Sequence, residues 1–207
     1  MYGAPCRSPS YLTPMAATSF NKAVNTLLSV IGEAPVSSVD EGHMTAVMAK
    51  TTLEETSRAV QMLGWRWNTE PFEVETNAQN EIVLPSNTLS AHFPRHVADD
   101  TLVLRNGKLY DLTNRTYQFS AGTKYKTDLV LELPWEELPE EGRRYITIKA
   151  ARQFGDRIVG DQAMHAYTQQ EEYEAKGALW RAETGQQYRT IFDNYDSKKA
   201  VWRAFGA

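Results

Sequence analysis

The hydrophobic period of this chain changes twice, from helical to alternating and back, and that pattern restricts the folds open to it more than any single motif does. From Ser19 to Ile31, apolar residues recur at Phe20, Val24, Leu27, Leu28 and Ile31. This is the spacing of one helical face, with Ser19 placed as N-cap, Gly32 just past the end and Pro35 blocking continuation. A second helix is predicted from about Thr45 to Leu63, with Val47, Leu53, Ala59, Val60 and Leu63 on its stripe and Gly64 closing it. A one-sided apolar stripe has to be buried against another element, so neither helix is expected to stand alone.

Between Trp65 and Pro139 the period becomes two. Trp65 and Trp67 flank Arg66, while Phe72 and Val74 alternate with glutamates. Strands are predicted at Glu81–Leu84, Thr101–Leu104, Lys108–Leu112, Tyr117–Phe119 and Asp128–Leu133. Asn106-Gly107 separates the second pair, a strong hairpin signal because both residues tolerate positive φ. Asn114-Arg115 and Ala121-Gly122 mark two more reversals, giving a small antiparallel sheet with one solvated face.

After Pro139, the pair Glu140-Glu141 is an acidic first turn that suits the positive end of a helix. Tyr145, Ile146, Ile148, Ala151 and Phe154 form its stripe. Beyond Gly155 and Gly160, Asp161 can cap a further helix to about Thr184. Ala163, Tyr167, Ala175, Ala178 and Leu179 face inward on it, with Glu171, Glu172 and Glu174 on the wet side. The expected class is therefore α+β: a helical bundle built from both ends of the chain with a central antiparallel β-rich domain. The divisions fall at 1–18, a flexible N-terminal arm or start-site extension holding Pro5, Pro9 and Pro14; 19–64, the first bundle helices; 65–138, the β-rich domain; 139–186, the later bundle helices; and 187–207, an aromatic C-terminal tail.

Composition removes several function classes. The 22 Lys+Arg against 26 Asp+Glu give a net charge of -4 over 207 residues, unlike a phosphate-neutralising nucleic-acid binder. The charge is uneven: residues 1–139 hold 16 acids and 11 bases, and residues 140–207 hold 10 acids and 11 bases. The single cysteine, Cys6, allows no internal disulfide and no cysteine zinc site. No run of about 18 uncharged apolar residues is present, so no membrane insertion is expected.

The search for chemistry finds no catalytic, metal or cofactor residues. Gly155 and Gly160 have P-loop spacing, but Asp161-Gln162 occupies the position of the phosphate-binding lysine. His92 and His96 are four apart with Pro94 between them, and are read as loop histidines rather than metal ligands. The pairs Glu136-Glu137, Glu140-Glu141 and Glu171-Glu172 are sequence neighbours, whereas glycosidase carboxylates face each other across a cleft. Aromatic residues carry the positive signal: ten of the 22 lie in the last 63 positions. Trp180, Tyr188, Phe192, Tyr195, Trp202 and Phe205 fit either a core-packing segment or a docking segment, with Lys198, Lys199 and Arg203 as a polar rim.

Three blocks together resemble a known family. Ile31-Gly32-Glu33-Ala34-Pro35-Val36 follows the first helix, Gly64-Trp65-Arg66-Trp67-Asn68 closes the second, and Tyr145-Ile146-Thr147-Ile148-Lys149-Ala150-Ala151-Arg152-Gln153-Phe154 lies in the later one. Their order and spacing, over about residues 20–185, resemble tail tubular protein A, the head-to-tail adaptor or gatekeeper of short-tailed (podovirus) phages. The resemblance implies no enzyme and no cofactor. It implies a virion protein of the phage tail, made in the host cytoplasm, that forms a dodecameric ring joining the portal protein to the tail nozzle (tail tubular protein B). Double-stranded DNA would pass through without specific binding. Under that reading Trp180 and the aromatic tail contact portal or ring neighbours, and the Asn106-Gly107 turn faces the nozzle. Two other classes stay open: a virion-associated polysaccharide hydrolase and a cytosolic helical binding module.

Overall fold

The computed structural model describes residues 17–38, 44–93, 101–160 and 162–185, with the side chains of 162–168 left undescribed. Four α-helices, α1 (Phe20–Val30), α2 (Met44–Gln61), α3 (Glu140–Ile158) and α4 (Gln162–Gly185), enclose in sequence a β region. That region contains β1 (Thr69–Glu75), β2 (Thr88–His92), β3 (Leu102–Arg105), β4 (Lys108–Asp111) and β5 (Lys124–Leu131). The class is α+β, as the periodicity predicts.

Helix α1 begins and ends where its capping residues place it, while Asp161, the predicted cap of α4, lies outside the described residues. Ser19 is extended and its hydroxyl accepts from the Lys22 N–H at 3.3 Å, while Gly32 stands at φ 76° beyond the last turn of α1. Contacts then set directions. Thr18 meets Glu140 at the start of α3, and a Cβ added to Gly155 near its end would lie 2.9 Å from Val30 Cγ1, so α1 and α3 run parallel. The Thr56 hydroxyl of α2 donates to Gln153 Oε1, and Trp67 sits beside Gly142, so α2 runs the other way. Arg152 Nε donates to Glu172 Oε2 and Trp65 meets the Trp180 ring, which makes α4 antiparallel to α3 as well. The bundle thus has a distal pole, formed by the turn after α1, the start of α2 and the α3–α4 turn, and a proximal end that meets the sheet.

Val24, Leu27, Leu53, Val60, Ile146, Phe154 and Leu179 fill the bundle core. A separate core holds Val74, Ile82, Leu84, Leu109 and Leu129. The main sheet has order β1-β5-β2, antiparallel throughout, and β3-β4 form a two-stranded hairpin. Val74 and Leu129 point to the inner side, whereas Lys124, alternating to the outer side, bridges Glu75 at 2.9 Å and Glu73 at 3.8 Å. One face is therefore solvated and charged, as expected.

Several local expectations are corrected. Trp65 and Trp67 do not alternate across a strand. Arg66–Asn68 is a 3-10 turn, and Trp65 is buried in the bundle, donating its ring N–H to the Val60 carbonyl at 2.8 Å. Glu81–Leu84 and Tyr117–Phe119 make only isolated bridges, Glu81 to Gln118 and Val83 to Lys108. Strand β2 is an addition; its sequence Thr-Leu-Ser-Ala-His has little of the branched and aromatic content that marks strands. Glu172 is not on the wet side but is drawn inward by Arg152 at 2.5 Å.

Two buried amides join the bundle to the sheet. Asn68 is fully buried; its Nδ2 donates to the Gln61 and Leu131 carbonyls, both at 2.9 Å, and its Oδ1 accepts from the Trp65 N–H at 2.8 Å. Gln61, also buried, exchanges two bonds with the Leu133 backbone, donating at 3.1 Å and accepting at 2.7 Å. The end of α2 and the exit of β5 are thereby held by side chains whose polar atoms have no route to water.

Substitution of Asn68 by Leu should cost about 3 kcal/mol, because two carbonyls and one N–H lose their partner inside the fold. Urea denaturation followed by tryptophan fluorescence would measure it. Gly155→Val, which drives a side chain into Val30, should cost about 1–3 kcal/mol. Gly107→Val meets no neighbour but must keep φ near 70°, and should cost about 1–2 kcal/mol from the backbone alone.

Candidate docking surfaces

Among the described residues, no group of three or more His, Cys, Asp or Glu side chains could hold a metal ion. His92 ends β2, where its carbonyl accepts from the Thr127 hydroxyl at 3.0 Å; His96 lies outside the described residues. The carboxylate pairs do not face one another. Glu136 and Glu137 occupy a 3-10 turn, and Glu140 and Glu141 the first turn of α3. The candidate surfaces lie at the ends of the described segments and where large apolar groups are exposed.

At the distal pole, the Ile31–Val36 segment is folded back on α1 by one amide. Asn25 Oδ1 accepts from the Val36 N–H at 2.9 Å and its Nδ2 donates to the Val36 carbonyl at 3.1 Å. This two-bond clamp satisfies both backbone groups of Val36 and leaves a groove against α2 lined by Leu28, Pro35, Val36 and Met44.

At the proximal end, Thr18 is seized from three sides. Its N–H and hydroxyl donate to the two Glu140 oxygens at 2.9 and 2.5 Å, and its carbonyl accepts from Trp135 Nε1 at 2.8 Å and Arg143 Nη1 at 3.2 Å. Arg143 is buried and also donates to the Leu138 and Glu136 carbonyls. Thr18 is therefore a fixed point beside the sheet. Sequence reasoning read Glu140 only as a helix-dipole acid, and no local pattern reveals a partner 122 positions away.

The predicted docking aromatics divide. Trp180, at 52% exposure, lies on α4 and presents one edge to buried Trp65, with ring centroids 5.4 Å apart. Tyr188, Phe192, Tyr195, Trp202 and Phe205 lie outside the described residues. At the other predicted contact, Asn106 and Gly107 both take positive φ, 52° and 70°, and close β3 onto β4 with Arg105 opposite Lys108. The turn is braced, since the Gly107 carbonyl accepts from the Leu84 N–H at 3.0 Å. Arg105 stacks over Tyr110 at 4.3 Å, and Tyr110 meets Tyr117 at 4.7 Å. The helix aromatic thus stands against Trp65 of the bundle core and the hairpin turn against Leu84 of the sheet core, so they form no common site.

Burial pushes the Glu140 carboxyl up, but the Thr18 hydrogen bonds together with the Arg143 and Lys22 charges outweigh it and hold the pKa below the usual carboxylate value. A lowered folded-state pKa adds stability that is complete above the unfolded pKa and is lost as pH falls through the folded one. Wild-type protein should therefore lose stability below about pH 4.5, and Glu140→Gln should flatten that part of the profile while lowering stability at neutral pH. Thermal melts from pH 3 to 7 of both proteins would check this.

The chain matches the tail tubular protein family over residues 22–188. It is 28% identical to "Tail tubular protein A" of Klebsiella phage KP34 over 151 residues, which is 72% of this chain and 79% of that protein. The match spans the four helices, the sheet and the hairpin described above, and the family is a structural component of phage tails. This chain belongs to the tail tubular protein family.

Proposed function

We propose that the protein is the ring-forming adaptor of a short-tailed phage, set between the portal and the tail nozzle and lining the channel through which DNA leaves. Family membership carries this reading, and the subunit's shape is in keeping with it. A bundle pole and a β domain sit at opposite ends of the amide joint, so two different partners can be engaged at once. The net charge of -4 also suits a channel. DNA carries about one negative charge per 1.7 Å of axis, so a basic lumen would retain it where a mildly acidic one lets it slide. In this arrangement the helices and the aromatic 187–207 segment serve portal and ring contacts, and the β domain, with its Asn106-Gly107 turn, serves the nozzle.

Negative-stain microscopy of the purified protein, alone and mixed with the portal protein of the same phage, tests this directly. Rings, or a new collar on the portal, are expected; absence of both under each condition would reject the adaptor role. Deleting residues 187–207 should weaken portal docking while circular dichroism shows the sheet retained, and unchanged docking would remove the tail from the interface.

A further inference from the structure

Two helices of this fold carry outward faces built on the same spacing. On α2, Met44, Met48, Thr51, Glu55 and Arg58 are all exposed, and exposed Met62, just past its end and still bonded to the Arg58 carbonyl, continues intervals of four, three, four, three and four. On α4, Tyr173, Gly177, Trp180 and Thr184 repeat four, three, four on the side opposite buried Ala175 and Leu179. Alternating fours and threes form the seam along which one helix packs into the holes of another. Solvent-facing helix surfaces are ordinarily polar, yet Met62 is 57% exposed and Tyr173 79% exposed. Methionine adapts to irregular neighbours, and at Gly177, between the two aromatic rings of α4, a Cβ would meet only the mobile end of the Arg181 side chain at 3.5 Å, which can swing aside for such a side chain.

The geometry points to these two faces being the two halves of one contact between copies of this chain, α2 of one subunit against α4 of the next. This rests on the ring reading above and specifies its interface. Both helices run from the distal pole toward the sheet, so subunits sharing one orientation would bring them together parallel. Their levels correspond: Thr56 bonds Gln153, and the adjacent Arg152 bonds Glu172, which sets Thr56 and Glu172 at nearly the same height. Counting on from there at about 1.5 Å per residue, Arg58 comes level with Glu174, and Met62 with the turn holding Gly177. The charges are opposite where they meet. The Arg58 side chain is 63% exposed and approaches Glu132 at 3.7 Å, and Glu174 accepts from the Gln170 amide at 3.2 Å. Helix α3 packs against both α2 and α4, and the two faces are different patches of the subunit. A contact of that kind is heterologous, and it closes into a ring where the rotation from one subunit to the next divides a full turn.

The test uses the full chain. Met62→Glu and Tyr173→Glu, each at an exposed position, should leave the melting temperature within about 2 °C of wild type and weaken ring formation by about tenfold or more, read by native mass spectrometry and negative stain with and without portal. In a Cys6→Ser background, Met62→Cys and Gly177→Cys proteins should give cross-linked dimers with a short bis-maleimide when mixed, and none when treated separately. If wild-type rings form and neither the acidic variants nor the mixture behaves so, this interface is wrong and the adaptor role stands. Rings that persist in the acidic variants but no longer seat on the portal would give the faces to the portal and overturn the inference. If wild type forms no ring even with portal, the ring reading falls and this interface with it.

Discussion

The Asn68 amide is the point on which both halves of this molecule depend. It collects the end of α2, the N–H of Trp65 and the exit of β5 into one buried set of bonds, and Gln61 repeats the device on Leu133. Apolar contact alone would let a sheet slide and rotate against a bundle, because hydrophobic burial has no direction. Hydrogen bonds inside a dry joint do, and each group left unpaired there costs more than the bond contributes when made. The orientation of the sheet against the helices is therefore specified by polar atoms, while the two cores on either side supply most of the stability.

How much of this was legible in the sequence follows from which interactions are local. The α1 cap at Ser19, the end signal at Gly32 and the Asn106-Gly107 turn each arise within four residues, and all three stand where periodicity and turn chemistry put them. Trp65 misled because a period of two was read from two bulky rings, whereas both indoles turn toward the bundle and the chain tightens into a 3-10 turn to allow it. Glu140 and Glu172 looked like solvated charge because their partners, Thr18 and Arg152, are distant in sequence or on another helix. Strand β2 has little propensity of its own and is held by pairing with β5. The three blocks that resemble the family turn out to be joints and core: the Val36 loop clamped by Asn25, the Trp65–Asn68 junction, and the buried stripe of α3. Of the candidate surfaces, Trp180 and the Asn106-Gly107 turn stand out already in the sequence. The outward face of α2 does not, since its stripe shows only once the inward face is known.

The same joints decide where the terminal segments leave the described fold. Thr18 is fixed by Glu140, Trp135 and Arg143 beside the sheet, and α4 returns to that level, where Glu183 accepts from the Arg66 N–H at 2.5 Å just before the helix closes at Gly185. Both termini of the described fold thus lie near the middle of the subunit rather than at the pole or on the sheet. In the adaptor reading proposed above, the pole and the β domain are the two ends left for partners. The pole keeps its Pro35 groove and the β domain its braced hairpin, both preformed by hydrogen bonds already made within the subunit. Preformed surfaces pay little ordering entropy when they dock, so in the proposed ring modest contact areas repeated around the circle would sum to a firm connection.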